Sequence, residues 1–165
     1  MRKAFFLFVA GIALCLVFAL MPARAGAPRF FWASGDPVVR DLETGLMWQR
    51  CSAGQSGDEC QDSADSMTWQ AALAYCEDLS LGGHADWRLP DRNELQSIVC
   101  YDRATAPRID PEAFPGTPSS WFWSSSSSAG NPNGAWDVSF GSGDVGNGGK
   151  SGTRHVRCAR GGLGP

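Results

Sequence analysis

Histidine is scarce in this chain: only His84 and His155 occur, and they do not form a metal-spaced pair. No G-x-S-x-G elbow is present, so the usual serine-hydrolase turn is excluded. After the first twenty residues there is no second long apolar run, which leaves nothing to hold the remainder in a bilayer. Positive charge is also short, with 14 Lys+Arg against 17 Asp+Glu. An acidic balance of this kind argues against a nucleic-acid partner.

What is present begins with an export pattern. Arg2 and Lys3 precede an apolar run from Ala4 to Leu20, followed by Pro22 and the A-x-A string Ala23-Arg24-Ala25. This order predicts a signal peptide over residues 1–25, cleaved before Gly26. Cys15 is a poor lipid-attachment site, because it lies inside the apolar run behind Leu14. Cleavage would remove three basic residues and no acidic ones, taking the formal charge from −3 to −6. The expected product is exported, periplasmic or extracellular, with no stable membrane insertion. Its five remaining cysteines, Cys51, Cys60, Cys76, Cys100 and Cys158, read as disulfides with one left over. Spacing leaves the pairing open: Cys51 and Cys60 suit a local clip, and either Cys76 or Cys100 could reach Cys158.

Residues 26–37 read as a lead-in, and 38–162 as one domain. Val38–Leu42 and Leu46–Trp48 flank a Thr-Gly turn and predict a hairpin. Ser52–Ser66 is a polar loop. Trp69, Ala72, Leu73, Cys76 and Leu79 share one helical face, with Ser66 or Thr68 as cap and Gly82-Gly83 as terminator. Asp91-Arg92-Asn93-Glu94 spells a capping box that opens a second short helix burying Leu95, Ile98 and Val99. From Asp102 to Ser120, four prolines leave little regular structure. Trp136, Val138 and Phe140 alternate on a strand, Gly141–Gly152 reads as loop, and His155–Arg160 as one closing strand with Val156 and Cys158 inward. The expected architecture is α+β: a short antiparallel sheet, two helices and a loop-rich, glycine/serine-rich second half.

Several strings mimic chemical motifs and fail on context. Gly141–Gly146 spells G-x-G-x-x-G, but no helix follows to face a pyrophosphate. Gly149-Lys150-Ser151 resembles a P-loop end without the required glycine at position 144. Asp58, Glu59, Asp62 and Asp65 lack EF-hand spacing. Asn131-Pro132-Asn133 and Trp136-Asp137 resemble sugar-calcium motifs but stand too close together, so turn and strand is the better reading. Nothing brings Cys100 beside a histidine for nucleophilic work. No metal or cofactor is expected, and no enzyme activity. The remaining signal is a basic stripe in the tail, Lys150, Arg154, His155, Arg157 and Arg160, of which the first four, with Trp121, are the candidate ligand residues. Arginine forks suit sulfate or carboxylate, and aromatics among Ser, Gly and Asn suit adaptable recognition. Arg154 and Arg157 could equally pair with the protein's own carboxylates.

Five strings in order carry a resemblance: Asp41–Gln49; Trp87-Arg88-Leu89-Pro90 with Glu94-Leu95; Phe122–Ser125; Ala135-Trp136-x-Val138-x-Phe140; and Val156-Arg157-Cys158-x-Arg160. Over roughly Val38–Gly162 the chain resembles the Lcl C-terminal domain family, named after a bacterial collagen-like adhesin. The resemblance implies a C-type-lectin-like fold related to the formylglycine-generating enzymes. It implies Cys76–Cys158 and Cys51–Cys60 as disulfides, with Cys100 the odd thiol. It also implies binding of glycans, sulfated ones included, or of a protein surface through the C-terminal loop region. Two alternatives stand beside it. The ending Val156–Gly162 resembles that of lectin-like receptors diversified by retroelements, and a formylglycine-generating type of oxidoreductase is the less favoured enzyme reading.

Overall fold

The computed structural model describes residues 28–161, so the signal peptide expected over residues 1–25 and Gly162 lie outside the described residues. The hairpin forms as its turn chemistry demands: β2 (Val38–Asp41) and β3 (Leu46–Gln49) pair antiparallel, with Val39 opposite Trp48. Gly45 supplies the turn's positive φ of 72°. β1 (Phe30–Phe31), inside the lead-in, pairs with β2, and β9 (Ala159–Gly161) pairs with β3, giving a four-stranded sheet in the order β1-β2-β3-β9. Asp41, 1% exposed, is tied to Arg29 by two hydrogen bonds of 3.1 and 2.7 Å, which fixes the edge of this sheet. Burial alone would raise the Asp41 carboxyl, but the Arg29 hydrogen bond and the Glu43 amide outweigh it and hold it below the usual carboxylate range.

Both helices start where their caps predict. α1 (Trp69–Glu77) is capped by Thr68, whose hydroxyl accepts from the Ala71 amide. It ends at Asp78, well before Gly82. α2 (Arg92–Ser97) has a complete capping box between Asp91 and Glu94. Arg88 clamps Glu94 through two 2.7 Å bonds, so the Trp87–Pro90 segment and α2 hold each other.

The second half departs from expectation. The α+β, C-type-lectin-like assignment is overturned, because the described chain is mostly β, with 33% strand and 11% helix. The supposed loops are strands. β5 (Trp121–Ser128) runs through the serine tract, β6 (Asn131–Ser139) through the Asn/Pro turn, and β7 (Val145–Gly149) through the glycine tract. With β4 (Ser66–Thr68) and β8 (Thr153–His155) they make a five-stranded sheet, β4-β8-β5-β6-β7. Serine, asparagine and glycine have weak strand preference by themselves. Cross-strand pairing to an aromatic neighbour supplies what they lack: Trp121 faces Ser139, and Trp136 faces Asn147.

The closing strand is likewise two strands. β8 joins the five-stranded sheet and β9 the four-stranded one, and Val156–Cys158 crosses between them. One core lies between the two sheets and α2, built on Trp48, Leu95, Phe114, Phe122 and Phe140. A second packs α1 on the other face of the five-stranded sheet, through Ala72, Cys76, Trp87, Trp123 and Cys158. Two disulfides form, Cys51–Cys60 and Cys76–Cys158, and Cys100 is the free cysteine among the described residues.

Candidate functional site

The five-stranded sheet decides which tail residues can meet a ligand. Opposed residues of an antiparallel pair share a face. The registers Trp123 to Asp137 and Trp121 to Ser139 therefore place Trp121, Trp123 and Asp137 on the α1 side, away from Phe122 and Val138. α1 covers Trp123, which is fully buried, and leaves Trp121 half-buried at the margin. Arg154 reaches across β8 onto the same face, donating from Nε to Asp137 Oδ2 at 2.8 Å with its guanidinium 5.2 Å from the Trp123 ring.

The floor beneath these groups is the glycine tract. A Cβ on Gly148 would stand 2.8 Å from Asp137 Oδ2 and 2.9 Å from both Arg154 Nη2 and Trp123 Cη2. A Cβ on Gly146 would stand 2.6 Å from Asp137 Oδ1 and 2.8 Å from Trp121 Cζ3. Glycine here lets indoles, a carboxylate and a guanidinium approach the strand more closely than any side chain would allow. Gly146, which closes the G-x-G-x-x-G string, thus has a packing role in place of a phosphate one. Asp137 is 2% exposed, and its Oδ1 has no hydrogen-bond partner.

Lys150 sits at the neighbouring edge. Its ammonium lies 4.2 Å from the Trp69 ring and donates to Ser127 Oγ at 2.7 Å and Pro132 O at 3.1 Å. The Trp69 indole N–H is itself anchored on Ser124 O at 2.8 Å. Trp121, Arg154 and Lys150 therefore belong to one side of the sheet, with Trp69 and Asp137 as supports that the sequence reading missed. The alternation Trp136-Asp137-Val138 was the available signal for Asp137, since it sets that carboxylate opposite the core-facing Val138.

The remaining stripe residues are dispersed. His155 follows Arg154 on β8 and so faces the other way, where its ring lies 5.4 Å from Phe122 and Nδ1 is 2.9 Å from Asp65 O. Arg160 pairs with Asp86 at 2.6 and 2.9 Å. Arg157 is fully buried and stacks 4.6 Å from the Phe114 ring. It donates to Gln49 O at 2.9 Å, Arg50 O, Ser52 Oγ at 3.2 Å and Thr117 Oγ1 at 2.8 Å. Placed there it braces the crossing segment and meets no solvent. Burial, with Arg50 nearby, pushes its pKa down to about 9.

Cys100 is partly buried beside a shallow hollow lined by Arg103, Asp110 and Glu112. Burial pushes its thiol up, and Asp110 adds to the effect, so the group keeps its proton. Among the described residues no cluster of three or more His, Cys, Asp or Glu is arranged to hold a metal ion.

No curated protein matches this chain. The model of one family does, the Lcl C-terminal domain, over residues 37–160. That span takes in the hairpin, both helices, both disulfides and the whole glycine-floored face, and the chain belongs to the Lcl C-terminal domain family.

Proposed function

We propose that this protein is an exported, non-enzymatic binding module whose ligand surface is the uncovered margin of the five-stranded sheet around Trp121, Arg154 and Lys150. Family membership is consistent with a module of the binding or adhesion type, and two disulfides are consistent with export. The observation that carries the reading is the glycine floor. β7 gives up side chains at Gly146 and Gly148, so the half-buried Trp121 indole and the Asp137-anchored Arg154 guanidinium both pack against the same strand. A flat aromatic face with fixed polar groups at its edge is what a sugar ring stacks on and hydrogen-bonds to.

The charges argue for the kind of glycan. Arg154 is already paired with Asp137, Arg160 with Asp86, and Arg157 is buried out of reach, so Lys150 is the accessible Lys or Arg of the stripe without a carboxylate partner among the described residues. Recognition by stacking and hydrogen bonding is therefore favoured over attraction to dense sulfate. An array of neutral and sulfated glycans tests this with the oxidised protein and a Trp121→Ala variant. Neutral or singly sulfated glycans should bind, and the variant should lose roughly tenfold or more of the affinity. Binding confined to densely sulfated chains and indifferent to Trp121 would overturn the reading. A silent array would shift the assignment to a protein partner.

A further inference from the structure

A second recessed surface lies away from the sheet face, between the lead-in turn at Gly35–Pro37 and the clipped loop that runs from Cys51 to Cys60. Two adjoining clefts of about 230 and about 260 Å3 share Gly35, Arg50 and Asp58 as lining. Arg50 is 8% exposed. Its Nη1 donates to Asp58 O and its Nη2 to Glu112 O at 3.3 Å, while its buried Nε has no acceptor. Among the described residues no carboxylate stands within ion-pair distance of it. Arg157, whose Nη1 donates to Arg50 O, also has only carbonyl and hydroxyl partners. Two buried guanidinium groups thus share this corner without an anion of the protein to offset them, an arrangement that leaves room for an external one.

The rim carries the opposite sign. The Asp58 side chain is exposed, and its Oδ1 lies 4.0 Å from the position of a Cβ on Gly35, which sets it against the turn both clefts share. Asp36 lines the first cleft as well, with one carboxylate oxygen accepting from the Val38 amide at 3.0 Å. Pro37 and Leu81 supply apolar wall. Both volumes fall below the roughly 300 Å3 at which pockets for drug-sized ligands begin, so an occupant must be small.

We propose that this cleft binds a free aliphatic α-amino acid, its carboxylate on Arg50, its ammonium on Asp58 and its side chain against Pro37 and Leu81. A guanidinium recessed below a carboxylate rim matches a zwitterion, whereas a simple anion would meet Asp36 and Asp58 and a simple cation would meet Arg50. The site stands independently of the sheet-face reading, since the two share no residue.

Calorimetric titration with L-alanine, L-valine and L-leucine tests it, beside isovalerate and isopentylamine, which each carry one half of the charge pattern. Saturable binding of at least one amino acid is expected, with either half-ligand roughly tenfold weaker or worse. Arg50→Lys should weaken the amino acid, but this residue is buried and the variant is vulnerable to misfolding. Asp58→Asn, at an exposed position, is therefore the second variant. It should leave the melting temperature unchanged and isovalerate binding no weaker, while weakening the amino acid roughly tenfold. No saturable heat with any of the three amino acids would overturn the proposal. So would equal binding of isovalerate, or an Asp58→Asn variant indistinguishable from the parent.

Discussion

Replacing Arg157 by methionine will destabilise the fold by about 3 kcal/mol, although its sequence position suggests a surface charge. The guanidinium gives hydrogen bonds to two carbonyls, Gln49 O and Arg50 O, and to two hydroxyls, Ser52 Oγ and Thr117 Oγ1. Methionine fills the volume and leaves those acceptors without a donor, at about 1–3 kcal/mol for each that water cannot reach. Relief of a desolvated charge beside Arg50 offsets part of the loss. Lysine will not rescue the position, because one ammonium cannot reproduce a planar fork that spans residues 49, 50, 52 and 117. The pH dependence has a definite sign. The folded-state pKa of Arg157, about 9, lies below the ordinary arginine value. The unfolded chain therefore holds more protons between those values, and this residue's contribution to stability grows as pH rises through them. Urea unfolding of parent and variant should show a gap that widens above pH 9. A variant as stable as the parent would mean that Arg157 is not the brace of the crossing segment.

Removing Cys76 and Cys158 together, as alanines, will cost about 4.5 kcal/mol by loop-closure entropy, an upper estimate for a bridge spanning 82 residues. The same change at Cys51 and Cys60, nine residues apart, will cost about 2.5 kcal/mol. The long bridge also ties α1 to the segment between β8 and β9, so its loss loosens the contact between the two sheets as well as the unfolded-state restraint. Denaturant midpoints of the two double variants should fall in that order. The reverse order would show that the local clip, and with it the loop over Arg50, carries more of the stability than chain topology implies.

What could be read from the sequence was local. The hairpin over Val38–Trp48 and the capping box at Asp91 form because their turn and cap residues act within a few positions. The strands in the serine and glycine tracts are invisible for the opposite reason. Ser124–Ser128 and Gly146–Gly149 have little strand preference of their own and become strands only by pairing with the neighbouring β6. The split at Val156–Cys158 is hidden too, since alternating Val156 and Cys158 suits one strand as well as a crossing. Only the burial of Arg157 between loops distinguishes them. At the candidate site the sequence singled out Trp121, Lys150 and Arg154, which share one side of the sheet. It grouped His155 and Arg157 with them because spacing along a chain does not tell which face a strand residue takes or whether an arginine is solvated. From sequence Asp137 reads only as part of a turn and strand, and Arg50 as a single charge without a motif.

On the proposed reading, ligand meets the sheet margin at Trp121. The direct measurement is the indole N–H region of a 1H–15N correlation spectrum, recorded while a glycan selected on the array is titrated in. The seven tryptophans are spread over the molecule, with Trp48 buried in one core, Trp87 in the other and Trp32 beside the Arg50 cleft. Binding at the proposed surface should shift the Trp121 and Trp69 resonances and leave Trp32, Trp48 and Trp87 in place. Shifts confined to Trp32, or spread evenly over all seven, would contradict the account.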